Sequence, residues 1–291
     1  MNKIINNKWL SLITVSFIYL LTIVLAIFLY RKLNFEFYYN VLICDVFATL
    51  LIFIFSLIFN NSSMYDPYWS VAPIVIITSF FINKEYSASS LLIFLVVSLW
   101  GVRLTLNWAY TFGNLTWQDW RYRDLKEKTG KLYFFVNLFG IHLFPTIVVY
   151  FALLPALFVI KENIDLSIYG IIGAVISILA VFIQGLSDLE MHQFRKQKTG
   201  KLIDVGLWKY SRHPNYLGEI LMWVGIAISS VDVIKKHLIL GIGFIIVLAM
   251  FLFISIPMAD KHQARKEGFS EYKKRTRMLL PIPRLIKKEE R

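Results

Sequence analysis

The stretch WLSLITVSFIYLLTIVLAIFLY, Trp9 to Tyr30, carries no charged residue. About 20 consecutive apolar residues make a helix long enough to cross the hydrocarbon of a bilayer. The run is too long for the apolar core of a signal peptide and lacks a small-residue cleavage site, so it reads as a retained first span. Comparable runs recur along the chain. Eight candidate spans cover roughly 9–30, 38–60, 68–83, 88–110, 133–160, 166–186, 215–232 and 237–258. The third is short and the seventh is charged, which makes both candidates for re-entrant segments. With 57% hydrophobic residues, the expected fold is all-α, a polytopic membrane helical bundle of about 7–8 transmembrane helices. Helices are the natural choice because a spanning segment has to satisfy its own backbone hydrogen bonds.

Charge gives an orientation. The segment 112–131 holds Arg121, Arg123, Lys126, Lys128 and Lys131, and 187–213 holds Arg195, Lys196, Lys198, Lys201, Lys209 and Arg212. Eleven basic residues follow from position 259. Two spans separate each of these segments from the next, so all three fall on one side. Basic connections mark the cytoplasmic side, which puts both termini and any site built from these segments there. A net charge of +12 gathered on one face also suits anionic headgroups. Nucleic acid is a poor partner, since no recognisable binding module accompanies the charge. The expected partners are membrane lipids and a lipid-like small-molecule substrate, with no obligate protein partner inferred. The division expected is N-terminal transmembrane helices at 1–60, a main membrane domain at 61–285 and a basic tail at 286–291. The tail reads as helical to about Met278, ending at Pro281 and Pro283. One cysteine, Cys44, rules out an intrachain disulfide, and the five scattered histidines have no metal-ligand spacing.

Three polar clusters lie on the expected cytoplasmic side. In MYDPYWSVAP, Met64 to Pro73, Asp66 stands between Tyr65 and Tyr68. It can cap the helix that Pro67 begins, or act as a carboxyl group between two phenols with a raised pKa. In TWQDWRYRDLKEKTGK, Thr116 to Lys131, Asp119, Arg121 and Arg123 alternate with Trp117, Trp120 and Tyr122. Arginine grips phosphate in a fork, and the same pattern makes a surface amphipathic helix. The third cluster starts at Asp188 and continues through Glu190, Arg195, Arg212, His213, Asn215 and Tyr216 to Glu219. A basic loop there leads into a helix start at Pro214, a place that favours anions. Tyr216 and Glu219 share a helix face. A carboxylate one turn inside a span is costly, so Glu219 is expected to meet a ligand or a partner in another span. Asp45, Arg103, Asn107, Asn137, His142 and Gln184 read singly as helix–helix contacts.

GLWKYSRHPNYLGEILMWVG resembles the C-terminal element of the membrane steroid 5α-reductase superfamily. With YDPYWSVAP and WQDWRYRD it resembles more closely the bacterial steroid-reductase-like branch with a DUF1295 domain, over roughly residues 60–285. Isoprenylcysteine carboxyl methyltransferases and phospholipid methyltransferases carry a similar RHPxYxGE element and bind S-adenosylmethionine. The reductase resemblance implies NADPH held on the cytosolic side of a seven-helix bundle and hydride delivered to the β-carbon of an enone. It implies that Asn215 and Glu219 contact the nicotinamide, and that Asp119, Arg121, Arg123, Asp188, Arg195, Arg212, His213 and Tyr216 hold the rest of the cofactor. Asp66 falls where steroid reductases carry a glutamate for the substrate's keto oxygen, with Tyr65 or Tyr68 as its phenol partner.

The residues themselves agree. No GxGxxG follows a strand, so a soluble dinucleotide-binding domain is absent and side chains would have to hold the cofactor. The expected activity is an NADPH-dependent oxidoreductase acting on a lipid enone. The alternative is an S-adenosylmethionine-dependent membrane methyltransferase.

Overall fold

A computed structural model describes residues 5–81, 86–198 and 200–282. Among them are helices, short 3₁₀ and π segments and one isolated bridge, with no strand. The protein is an all-α membrane helical bundle. Six helices are long and apolar enough to cross a membrane: Lys8–Tyr30, Phe37–Ile58, Ala88–Thr111, Trp120–Lys161, Ile168–Lys196 and Leu238–Gln263. The other two candidate spans fall short. One helix, Tyr68–Phe80, has 13 residues, about 20 Å at the helical rise. The other, Pro214–Ser229, has 16, about 24 Å. A hydrocarbon core about 30 Å thick outreaches both.

The helices form two compact units, Met1–Ile164 and Asp165–Arg291. The first contains α1 (Lys8–Tyr30), α2 (Phe37–Ile58), α3 (Tyr68–Phe80), α4 (Ala88–Thr111), α5 (Trp120–Thr129) and α6 (Phe144–Lys161). A turn, Tyr133–Phe135, and a π-helical segment, Val136–Leu143, run directly into α6. Polar residues start these helices where the chain offers them: Asn7 accepts from Leu10 N at 3.0 Å, Ser87 from Ser90 N at 3.2 Å, and Asp119 from Arg121 N at 2.9 Å. Each satisfies an amide that the first turn leaves unbonded. The Asp66 cap does not form: Pro67 holds the N-cap position of α3 and gives no side-chain bond. Helix α2 packs on α1 and α6, and α3 on α4 and α6. The inner core collects Val15, Ile18, Ala48, Ile52, Met64, Phe112 and Leu115.

The second unit contains α7 (Ile168–Lys196), α8 (Pro214–Ser229), α9 (Val231–Lys236), α10 (Ile242–Met250), α11 (Ile256–Gln263) and α12 (Phe269–Arg275). Its centre is the α7–α8 pair. A Cβ added at Gly218 would meet the Ala180 carbonyl at 2.8 Å, and one at Gly225 the Ser177 hydroxyl and the Gly173 carbonyl. Small residues on both helices therefore let the backbones close in, the packing that membrane helices use in place of a hydrophobic driving force. Ser177 Oγ donates to Met222 O at 3.1 Å across the same seam. The tail departs from the single helix expected to Met278. Helix α11 ends at Gln263, Gly268 adopts φ +77 and α12 restarts at Phe269. Glycine tolerates this left-handed conformation and so breaks the helix. Pro283 and the 286–291 tail lie outside the described residues.

Gly225→Ala is expected to lower the unfolding midpoint in detergent, because overpacking of this kind costs about 1–3 kcal/mol. Gly140→Ala, whose Cβ would meet only Val136 Cγ1 at 3.9 Å, serves as the neutral comparison. Equal midpoints for the two variants would show that the seam is not closely packed.

Candidate functional site

Each unit builds one cluster of ionisable and aromatic side chains. In the first, Asn61 organises the approach. Its Oδ1 accepts from Ser63 N at 2.9 Å, and its amide donates to Leu115 O and Trp117 O, both at 2.8 Å. This ties the 3₁₀ turn Ser62–Met64 to the loop before α5. Ser63 Oγ accepts from Asp119 N at 2.8 Å. Asp119, besides capping α5, takes the Nε–H of Arg121 on Oδ1 at 2.8 Å. The guanidinium so placed brings Nη2 to 3.7 Å from Asp66 Oδ1. That same oxygen accepts a hydrogen bond from the Tyr122 hydroxyl. Asp66 and Tyr122 are 56 residues apart in sequence, so the first two polar clusters meet in space.

Asp66 keeps 16% of its side chain exposed. Burial pushes its carboxyl up to about 7, with Asp119 adding to the rise. The Arg121 charge and the bonds from Tyr122 and Ser63 act in the opposite sense and fall short of cancelling it. The group thus changes charge close to neutrality. Tyr65 and Tyr68 turn away from it. Residues leaving a 3₁₀ turn are spaced by a third of a turn, so neighbouring side chains diverge. The Tyr65 hydroxyl bonds Thr146 Oγ1 at 2.8 Å. The Tyr68 hydroxyl donates to Asp45 Oδ1 at 2.6 Å. The phenol beside Asp66 is Tyr122, a residue the sequence shows only as one of several aromatics around Arg121. Arg123 is exposed, and its amide donates to Asp119 O at 3.3 Å.

In the second unit, Arg212 and His213 converge on Asp260 of α11. Arg212 donates through Nε to Asp260 Oδ1 at 3.2 Å, through Nη2 to Oδ2 at 3.0 Å, and through Nη1 to Thr276 O at 2.9 Å. His213 Nε2 lies 2.9 Å from Asp260 Oδ1. Around this clamp the Arg212 amide donates to Arg277 O at 2.9 Å, and the Tyr272 hydroxyl to Trp208 O at 2.6 Å. The clamp fixes the loop before Pro214 to the segment after α12. Tyr216 stacks on His213 with ring centroids 5.4 Å apart and planes 8° from parallel. Asn215 is half-buried and makes no hydrogen bond among the described residues.

Glu219 is buried within the α7–α8 pair. Its two carboxylate oxygens accept from Gln184 Nε2 and, at 3.1 Å, from Trp223 Nε1. This carboxylate therefore joins two helices, the role the sequence offers as a contact to another span. The Oε1 of Gln184 is buried with no partner. Asp188 is half-buried and Arg195 exposed on the last turns of α7. Asp260 and Thr276 escaped the sequence reading. An acid within the strongly basic tail was the available signal, because a lone carboxylate among cations marks a partner for one of them.

The family described as "Protein of unknown function (DUF1295)" matches residues 52–276, a stretch that includes Asp66, Asp119, Arg121, Tyr122, Arg212, His213, Glu219 and Asp260. No curated protein and no solved structure matches the chain.

Asp260→Ala leaves Arg212 buried without its carboxylate, and is expected to destabilise the protein by about 3 kcal/mol and to speed proteolysis after Gln263. Unchanged cleavage would show that the clamp does not hold the tail. Asp66 gives a pH prediction. A carboxyl whose folded pKa lies above its unfolded value binds protons more tightly when folded, so stability falls as pH rises between the two values. Here that window runs from the ordinary aspartate value of 3.8 to about 7. The difference in melting temperature between Asp66→Asn and wild type should therefore grow in favour of the variant as pH rises through this window and level off above it. A pH-independent difference would contradict the raised pKa.

Proposed function

The chain belongs to the DUF1295 family, and from that premise we propose that it is an NADPH-dependent membrane oxidoreductase reducing the carbon–carbon double bond of a lipid enone. The observation that carries the reading is the setting of Asp66. Hydride addition to the β-carbon of an enone develops negative charge on the carbonyl oxygen, and a hydrogen-bond donor at that oxygen stabilises the transition state. A carboxyl group supplies such a donor only while it is neutral. The partly buried Asp66, with its carboxyl raised to about 7, keeps its proton to near-neutral pH. Tyr122 and Arg121 both address Oδ1, so the proton belongs on Oδ2. Asp119 positions Arg121, and Arg121 keeps the acid from rising further.

The second unit suits the cofactor. NADPH, when bound, supplies the hydride. Gln184 donates through its amide to Glu219, and its Oε1 lacks a donor; the carboxamide N–H of a nicotinamide is a donor of the right kind. Asn215, at the start of α8, is able to donate and accept. Arg195 is an exposed cation fit for a phosphate. Arg212 and His213 serve in this reading as positioning residues, because Asp260 already engages both side chains. The basic segments support a cytoplasmic site. An S-adenosylmethionine methyltransferase shares the Arg-His-Pro…Glu element, yet methyl transfer gives the Asp66–Tyr122–Arg121 arrangement nothing to do.

The test is turnover of a panel of enones by the detergent-purified protein with NADPH. The rate is expected to fall on the alkaline side of about pH 7. Asp66→Ala should lower kcat by about 10²-fold, the cost of losing one such donor, while NADPH affinity holds. Gln184→Leu should weaken NADPH binding. Absence of turnover across the panel, with stabilisation by S-adenosylmethionine and not by NADPH, would replace this reading with the methyltransferase.

A further inference from the structure

The π-helical segment Val136–Leu143 carries two buried polar residues, Asn137 and His142, with relative exposures of 2% and 0%. Two of their atoms, Asn137 Oδ1 and His142 Nε2, are buried without a hydrogen-bond partner. Neither residue takes part in the clusters described above.

The surrounding bonds fix what is missing. His142 Nδ1 lies 2.9 Å from the backbone carbonyl oxygen of Asn137. A carbonyl only accepts, so Nδ1 carries the proton and Nε2 of the neutral ring is a bare acceptor. Asn137 Oδ1 is likewise an acceptor. The neighbouring hydroxyls have no hydrogen to give. Thr146 Oγ1 donates to His142 O at 3.0 Å. Its hydrogen is thus committed, and in its contacts of 2.8 Å with Tyr65 and 2.8 Å with Thr49 it accepts. Those two hydroxyls therefore donate to Thr146. Tyr68 donates to Asp45. The imidazole also packs against the rings of Phe53, 5.2 Å between centroids, and Tyr65, 4.8 Å. Every hydroxyl hydrogen of this group is used, while two acceptors wait in an apolar surrounding. A buried acceptor left so is expensive, and π segments recur where helices are widened for function.

We propose that the His142 π turn is a binding site for the hydroxyl group of a lipid-like alcohol, whose O–H donates to His142 Nε2, with Asn137 Oδ1 as a second acceptor on the same turn. The donor deficit requires an O–H or N–H. The apolar residues around the imidazole favour a neutral, largely hydrocarbon molecule over a charged one. This rests on the proposed function only in taking the molecule to be a lipid substrate, which would then carry a hydroxyl in addition to its enone. Binding at His142 needs no nucleotide, so its failure and the failure of the NADPH reading are separable.

The experiment is a ¹⁵N NMR measurement on the full chain in nanodiscs with labelled histidine, the His142 signals being assigned by their loss in His142→Phe. The probes are two alcohol–hydrocarbon pairs, farnesol with farnesene and cholestanol with cholestane, added without NADPH. Without probe, Nε2 is expected at the position of a non-hydrogen-bonded acceptor. At least one alcohol should move it toward the hydrogen-bonded position while its hydrocarbon leaves it in place, and that alcohol should raise the melting temperature of wild type but not of Asn137→Leu. Three results overturn the proposal: an Nε2 already hydrogen-bonded before any probe, which assigns the position to water; equal effects of alcohol and hydrocarbon; or no response to either alcohol. The NMR readout is on wild-type protein, so a variant that fails to fold does not spoil it.

Discussion

Within hydrocarbon no water completes a hydrogen bond, so each polar group is either matched inside the protein or left at high cost. This constraint shapes the chain from backbone to site. It makes the spans helical, and it explains why the polar residues inside them appear in sets. Asp45 is matched by Tyr68, Thr49 by Thr146, and Glu219 by Gln184 and Trp223. Against that background, the unmatched acceptors at Gln184, Asn137 and His142 are the positions where the proposed ligands would complete the pattern.

The two clusters solve different problems. Arg212, His213 and Asp260 form a nearly complete set of charge-assisted bonds, and such a set is rigid. Removing one member strands the others, which is why the arrangement serves to fix the start of α8 and the chain after α12. Asp66 is matched less fully. One of its oxygens receives Tyr122 and faces Arg121, and the favourable contacts do not cancel the cost of burial. A group held in that balance can change charge near neutrality and act as a proton-bearing donor. The clamp is suited to architecture and the acid to chemistry.

Much of the architecture was legible because the signal is strong: an apolar run long enough to cross a bilayer leaves a helix no rival. Helix boundaries such as Lys8–Tyr30 and Ala88–Thr111 fall within a few residues of those read from hydropathy. The shortness of 68–83 and the charge in 215–232 were visible too. The meeting of Asp66 with Arg121 was legible only as a shared side of the membrane, since hydropathy orders spans and says nothing of which side chains touch. Three features left too little trace. The break at Gly268 rests on one residue's φ. The π turn at 136–143 has no mark in the hydropathy that tells it from an α-helical turn. The Arg212–Asp260 pair joins positions 48 residues apart whose types alone do not select each other from the many other ionisable residues. Glu219 shows the opposite lesson, that a carboxylate conspicuous in sequence can be satisfied by a neighbouring helix.

The most direct test of the central claim is to follow the label when the purified protein reduces a lipid enone with NADPH deuterated at the transferable position of the nicotinamide. Deuterium at the β-carbon of the product, with the α-hydrogen drawn from solvent, is the expected result. A reduced product free of deuterium, or a product that instead carries a methyl group from labelled S-adenosylmethionine, would contradict it.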